Sequence, residues 1–177
     1  MSVATVSRAK PKAPPLALSA ALIAAAMAAT VGGALAFEHI GGYIPCALCL
    51  EQRTPYYIGV PVMLAAATLA AFGKRGLALM LTVAGGGVMI YALYLGVFHA
   101  GVEWDLWSGP ADCGATTQGV DAIGGGDLLG SLNTVRPPSC DQAALRVLGL
   151  SFAGWQAVAA AILAGASFWL ASRYRAV

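Results

Sequence analysis

The residues of this 177-residue chain best suited to chemistry are four cysteines, two histidines and an arginine placed beside one cysteine pair. Cys46 and Cys49 lie in the stretch Pro45-Cys46-Ala47-Leu48-Cys49-Leu50-Glu51-Gln52-Arg53. Two cysteines separated by two residues close a small, strained disulfide that is easily reduced and re-formed. An uninterrupted apolar run from Pro55 to Phe72 follows, so the pair sits at the mouth of a candidate membrane helix. Cys46, Cys49 and Arg53 are spaced i, i+3, i+7, which puts them on one helical face. Near a helix N-terminus and a guanidinium, a thiolate is favoured over a thiol. A thiol pair facing a membrane points to chemistry between protein disulfides and something dissolved in lipid.

The second pair, Cys113 and Cys140, is 27 positions apart in a hydrophilic stretch. As a structural staple it would stabilise that loop by about 3–4 kcal/mol on a chain-entropy account. The redox-shaped pair elsewhere in the chain offers a second use. A mobile loop could carry its sulfurs to Cys46 and Cys49 by thiol–disulfide exchange, which needs a thiolate and access. Zinc held by all four cysteines is a further alternative, though four-thiolate sites use two short-spaced pairs and only one is short here. His39 has the position of an interfacial bystander, whereas His99 could hydrogen-bond a polar ligand at a membrane surface. Arg53 has a snorkelling alternative to its role as a cation near a thiolate. Trp104 and Trp107 fit an interfacial aromatic belt.

The elements that must position these residues are written in the composition. The chain is 59% hydrophobic and 10% charged, with a mean hydropathy of +0.74. Soluble domains carry about a quarter charged residues, so this deficit argues for a membrane protein. A net charge of +2 with no basic stripe gives no reason to expect nucleic acid. The triplets Gly85-Gly86-Gly87 and Gly124-Gly125-Gly126 lack the context of a phosphate-cradling loop.

Four spans are predicted, at about 16–37, 46–72, 77–98 and 147–172, each long enough for a hydrocarbon core of roughly 30 Å. Residues 1–15 read as a cytoplasmic tail with three prolines and three cations. Ala34-Leu35-Ala36 imitates a signal-peptide cleavage site, but the apolar run before it is longer than such peptides use, so an uncleaved helix is expected. A kink is expected at Pro61. Residues 99–146 form one long loop, with a short helix expected around Asp127 to Leu132. The fold class is therefore an all-α membrane protein, a four-transmembrane-helix bundle with one long periplasmic loop. Seven of the ten basic residues (Arg8, Lys10, Lys12, Lys74, Arg75, Arg173, Arg175) fall on one side of this arrangement. All eight acidic residues fall on the other side or at its boundary. The positive-inside rule then makes both termini cytoplasmic and turns both cysteine pairs outward, into the oxidising compartment.

Four helices, Pro-Cys-Ala-Leu-Cys leading to Arg53, an outer loop holding Cys113 and Cys140, and Leu148-Gly149-Leu150-Ser151-Phe152-Ala153-Gly154-Trp155 opening the last helix together resemble the DsbB family. Its members are bacterial inner-membrane quinone reductases that re-oxidise the periplasmic thiol oxidase DsbA. The likeness covers Leu16 to Ala171. It implies disulfides Cys46–Cys49 and Cys113–Cys140. Cys113 would be attacked by a reduced DsbA-like partner, with a transient Cys46–Cys140 link passing the electrons inward. Cys49 would meet ubiquinone or menaquinone as a thiolate, Arg53 would support that contact, and His99 matches the approximate place of a quinone-side histidine. One departure stands out: where some members carry Glu before the arginine, this chain has Gln52, with an acid one step earlier at Glu51.

Two other readings compete. Vitamin K epoxide reductase also sets a cysteine pair of a four-helix bundle against quinone, but there the Cys-x-x-Cys usually lies late in the chain. A non-enzymatic membrane scaffold would use both cysteine pairs structurally, and its disulfides would resist mild reductant.

Overall fold

The computed structural model describes residues 16–110 and 140–175. In order, the chain forms α1 (Leu16–His39), a five-residue α2 (Ala47–Glu51), α3 (Thr54–Ala71), α4 (Arg75–Glu103), a two-stranded ribbon β1 (Arg146–Val147) and β2 (Leu150–Ser151), and α5 (Phe152–Arg175). With α2 and α3 counted as one span, four segments are long and apolar enough to cross a membrane. The expected four-helix membrane bundle is the observed architecture. The tail 1–15, Cys113 and the helix expected around Asp127 to Leu132 lie outside the described residues.

Small residues set how the helices meet. The buried stripe of α1 is Leu16, Ala20, Ala24 and Met27. That of α3 includes Gly59, Met63, Ala66 and Ala67. Both repeat every three or four residues, the spacing of one helical face. α4 packs against α3 and α5, and α1 against α3 and α5. At the α4–α5 contact, a Cβ on Gly96 would stand 3.0 Å from the backbone Cα of Ala157, so only glycine permits this approach. Close backbone contact gives dispersion and packing a larger role where lipid is as apolar as the side chains. Buried hydroxyls are satisfied locally: Thr82 Oγ1 donates to Ala78 C=O and Ser167 Oγ to Leu163 C=O, each at 2.8 Å.

The structure corrects three details expected from the sequence. The second span is not one helix from Cys46, because hydrogen bonding breaks at Gln52–Arg53. Pro55 has no N–H to give the Glu51 carbonyl and its ring crowds that carbonyl, so α3 restarts at Thr54. Pro61 lies inside α3. The third helix runs past its expected end at 98 to Glu103, which places His99 inside the helix and not in a loop. The fourth helix starts at Phe152 instead of 147, because the preceding residues make a hairpin. Its turn residues Leu148 (φ 53°) and Gly149 (φ 85°) both have positive φ, as a type I′ turn requires.

The basic turn between α3 and α4 is closed by a Schellman pattern. Gly73 (φ 76°) donates to Ala70 C=O and Lys74 to Leu69 C=O. Arg75 bonds the Tyr174 carbonyl and lies 5.5 Å from the centre of its ring, tying this turn to the end of α5.

Candidate active site

At the opposite end of the bundle from that turn, Cys46 caps α2. Its backbone is extended (φ −77°, ψ 171°) and its sulfur accepts the Cys49 N–H at 3.2 Å. Both cysteines are free thiols, so the bond expected between them is open here. Their sulfurs lie 2.6 Å apart, a separation that closes to a covalent bond of about 2.05 Å with a small shift. His99 Nε2 lies 3.7 Å from Cys46 Sγ, and the three donor atoms fall within 4.8 Å of one another. A tetrahedral metal ion with bonds of about 2.3 Å would hold two sulfurs about 3.7 Å apart, so the pair is spaced for S–S chemistry.

Within the reduced pair the proton is unevenly shared. The hydrogen bond from Cys49 holds the Cys46 thiol down, to about 5. Burial opposes this, while His99 and the Cys49 N–H add to it. In this arrangement the thiolate form is favoured at Cys46, at the helix cap. Gln52 is buried and its side-chain nitrogen bonds His99 Nδ1, which leaves Nε2 as the N–H facing Cys46. Glu51 is exposed. In the sequence Gln52 stands out only as a departure from a pattern. Its place in the fold is to orient the histidine.

Arg53 is buried and pairs with Glu38 from the end of α1. It still lines the same cavity as Cys46 and Cys49, so the predicted clustering of the three survives the break after α2. That cavity has a volume of about 480 Å³ and is walled by α1, the Tyr43–Cys46 connection, α3, α4 and α5. Phe37, Tyr43 and Phe152 form an aromatic group on its rim, with ring centres 4.7–6.2 Å apart. Three buried polar atoms on the wall have no hydrogen-bond partner among the described residues: Tyr56 OH, Gln156 Oε1 and Glu103 Oε2. Neither these three residues nor Glu38 stand out in the sequence as part of the site. A readable signal exists only for Glu103, four residues after His99 on a continuing helix.

Cys140 is disulfide-bonded and 1% exposed. It packs in one apolar cluster with Cys46, Leu48 and Val102, with Cys49 and Phe98 at the edge. Its expected partner Cys113 is outside the described residues. His39 is exposed and absent from the cavity wall. Trp107 folds back on α4, donating to Phe98 C=O at 2.8 Å and stacking 6.0 Å from its ring. A thiol pair at a helix cap, a histidine on its sulfur, a second, oxidised cysteine in the same cluster and four spanning helices together define a membrane thiol–disulfide oxidoreductase.

Comparison with known proteins names the family. The model for disulfide bond formation protein DsbB matches residues 17–170, most of the chain, and the chain belongs to that family. No curated protein and no solved structure matches it. The protein is accordingly a multi-pass membrane protein of disulfide bond formation.

Proposed function

We propose that this protein is a disulfide:quinone oxidoreductase of the bacterial inner membrane. It takes electrons from a periplasmic DsbA-like thiol oxidase and passes them to ubiquinone or menaquinone. The observation that carries the reading is the position of Cys49 on the cavity, beside Arg53 and the buried Tyr56 hydroxyl, which has no hydrogen-bond partner among the described residues. Apolar walls with a few convergent polar groups are what a quinone ring and its two carbonyl oxygens need. Tyr56 OH can donate to one of those oxygens, and the aromatic rim of Phe37, Tyr43 and Phe152 can cover an apolar ring.

The bound quinone accepts two electrons and two protons and leaves as quinol. The chain does the rest. Reduced partner attacks the loop disulfide at Cys113 and releases Cys140. Cys140, already packed beside Cys46, links to it and frees Cys49. Cys49 then faces the cavity as the terminal sulfur, with the Arg53 charge favouring its thiolate. The partner's second thiol then displaces Cys113 and the partner leaves oxidised. Cys113 displaces Cys46 from Cys140, which re-forms the loop disulfide, and Cys46 and Cys49 close their bond as two electrons pass to the quinone. By the positive-inside rule, seven basic residues on the far side argue for periplasmic cysteines and cytoplasmic termini.

The test is the visible spectrum of the Cys46→Ser protein, purified in detergent and supplied with ubiquinone. Freed Cys49 against the quinone ring is expected to give a long-wavelength band that Arg53→Ala weakens. Bound quinone without any band would remove Cys49 as the terminal cysteine.

A further inference from the structure

We infer that Glu103 is the acid that supplies the second proton when the electrons of the Cys46–Cys49 pair reach the quinone. This rests on the quinone reading above and extends it to a residue that reading does not use. Proton counting sets the need. A pair carrying one thiolate and one thiol releases two electrons and one proton as its S–S bond forms. Quinol takes up two electrons and two protons. One proton must therefore come from another group: thiolate, thiol, quinone and a carboxylic acid become disulfide, quinol and a carboxylate, with charge and atoms balanced.

The cavity wall narrows the choice of donor. Glu38 is engaged by Arg53. Gln52, next to that arginine, has an amide and no acidic proton, and Glu51 is exposed and off the wall. His99 is held at Nδ1 by Gln52 and turns Nε2 toward Cys46. Tyr56 offers a phenol, a far weaker acid than a carboxyl group. Glu103 remains. Its side chain is 5% exposed, Oε1 lies 3.9 Å from His99 Nε2, and Oε2 is buried without a partner among the described residues. It lines the same cavity as Cys49. It is also the last residue of α4, directly before exposed Trp104, so water can return the proton after each turnover. With no acid directly before the arginine, this chain brings one to the histidine from a helical turn away.

The experiment uses the full-length protein in detergent with ubiquinone. Infrared difference spectra taken as quinone is reduced are expected to show loss of a carboxylic C=O band that Glu103→Gln removes. Stopped-flow quinol formation in Glu103→Gln is expected to slow on the order of a hundredfold, the usual reach of a positioned acid, and to recover with added acetate. In the Cys46→Ser background the long-wavelength band is expected to persist with Glu103→Gln. Wild-type rates, or an unchanged infrared band, in Glu103→Gln would overturn the inference while leaving the quinone reading intact. Absence of the long-wavelength band with Glu103 present would overturn the quinone reading instead. Should Glu103→Gln fail to fold, Glu103→Asp replaces it: a shifted carboxylic band is expected, and a band at its wild-type position excludes this residue.

Discussion

The two ends of the bundle solve opposite problems with similar helices. Toward the basic turn, Met63, Ala66, Ala78, Leu163 and Leu170 fill a dry core, and the two buried hydroxyls there bond their own helix. Around the cysteines, Gln52, Arg53 and His99 are buried instead, and three polar atoms on the cavity wall have no partner among the described residues. Unpaired buried polar groups cost about 1–3 kcal/mol each. The tight end therefore carries stability, and the cysteine end keeps polar groups that a bound ligand would satisfy.

That contrast can be broken from either side. Met63 is fully buried against Gly85. Met63→Ala is expected to cost about 2–3 kcal/mol of stability, read as a lowered melting temperature in detergent, with thiol chemistry per folded molecule kept. Loss of quinone reduction in a well-folded Met63→Ala would mean that the two ends are not separable.

His99→Ala is expected to do the reverse, lowering turnover about tenfold with little loss of fold, since one hydrogen bond to a charged group is worth about 1.5 kcal/mol or more. The sign with pH follows from Cys46. Its thiol lies at about 5 against an ordinary 9.0, so reduced wild type should alkylate faster as pH rises through 5. Stability from this thiolate is complete above 9 and is lost as pH falls toward 5. In His99→Ala the alkylation midpoint should move up. An unmoved midpoint would remove the histidine from the thiolate's environment.

The smallest effect is expected from Glu51→Gln. Glu51 is exposed and off the cavity wall, so turnover and melting temperature should match wild type. A clear defect would restore the acid that the sequence offers near the arginine.

Hydropathy is enough to find the four spans, and spacing alone joins Cys46, Cys49 and Arg53. What escapes the sequence is mostly a matter of partners. Charge-free counting ends the third helix at Phe98, yet helical bonding continues through His99 to Glu103, because a histidine and a glutamate four apart can share one buried face. Pro55 reads as a residue in the first turns of the second helix, but its effect on the Glu51 carbonyl becomes visible only as the break at Gln52–Arg53. Leu148 at positive φ carries no turn signal, since asparagine, aspartate or glycine is the usual occupant. Glu38, near the end of α1, and Arg53, at the cap of α3, are 15 residues apart, a distance no periodicity bridges.

The small hairpin before α5 also limits how far a sulfur can wander. β1 begins at Arg146 and pairs with β2, and Trp155 Nε1 holds the Val147 carbonyl at 2.9 Å. Cys140 is thus leashed to a fixed post by six residues, a reach of about 20 Å at most. Confined to that radius, its sulfur meets Cys46 at an effective concentration in the millimolar range. Exchange between them becomes a first-order event whose rate is indifferent to protein dilution, and lengthening the leash with glycines would slow it.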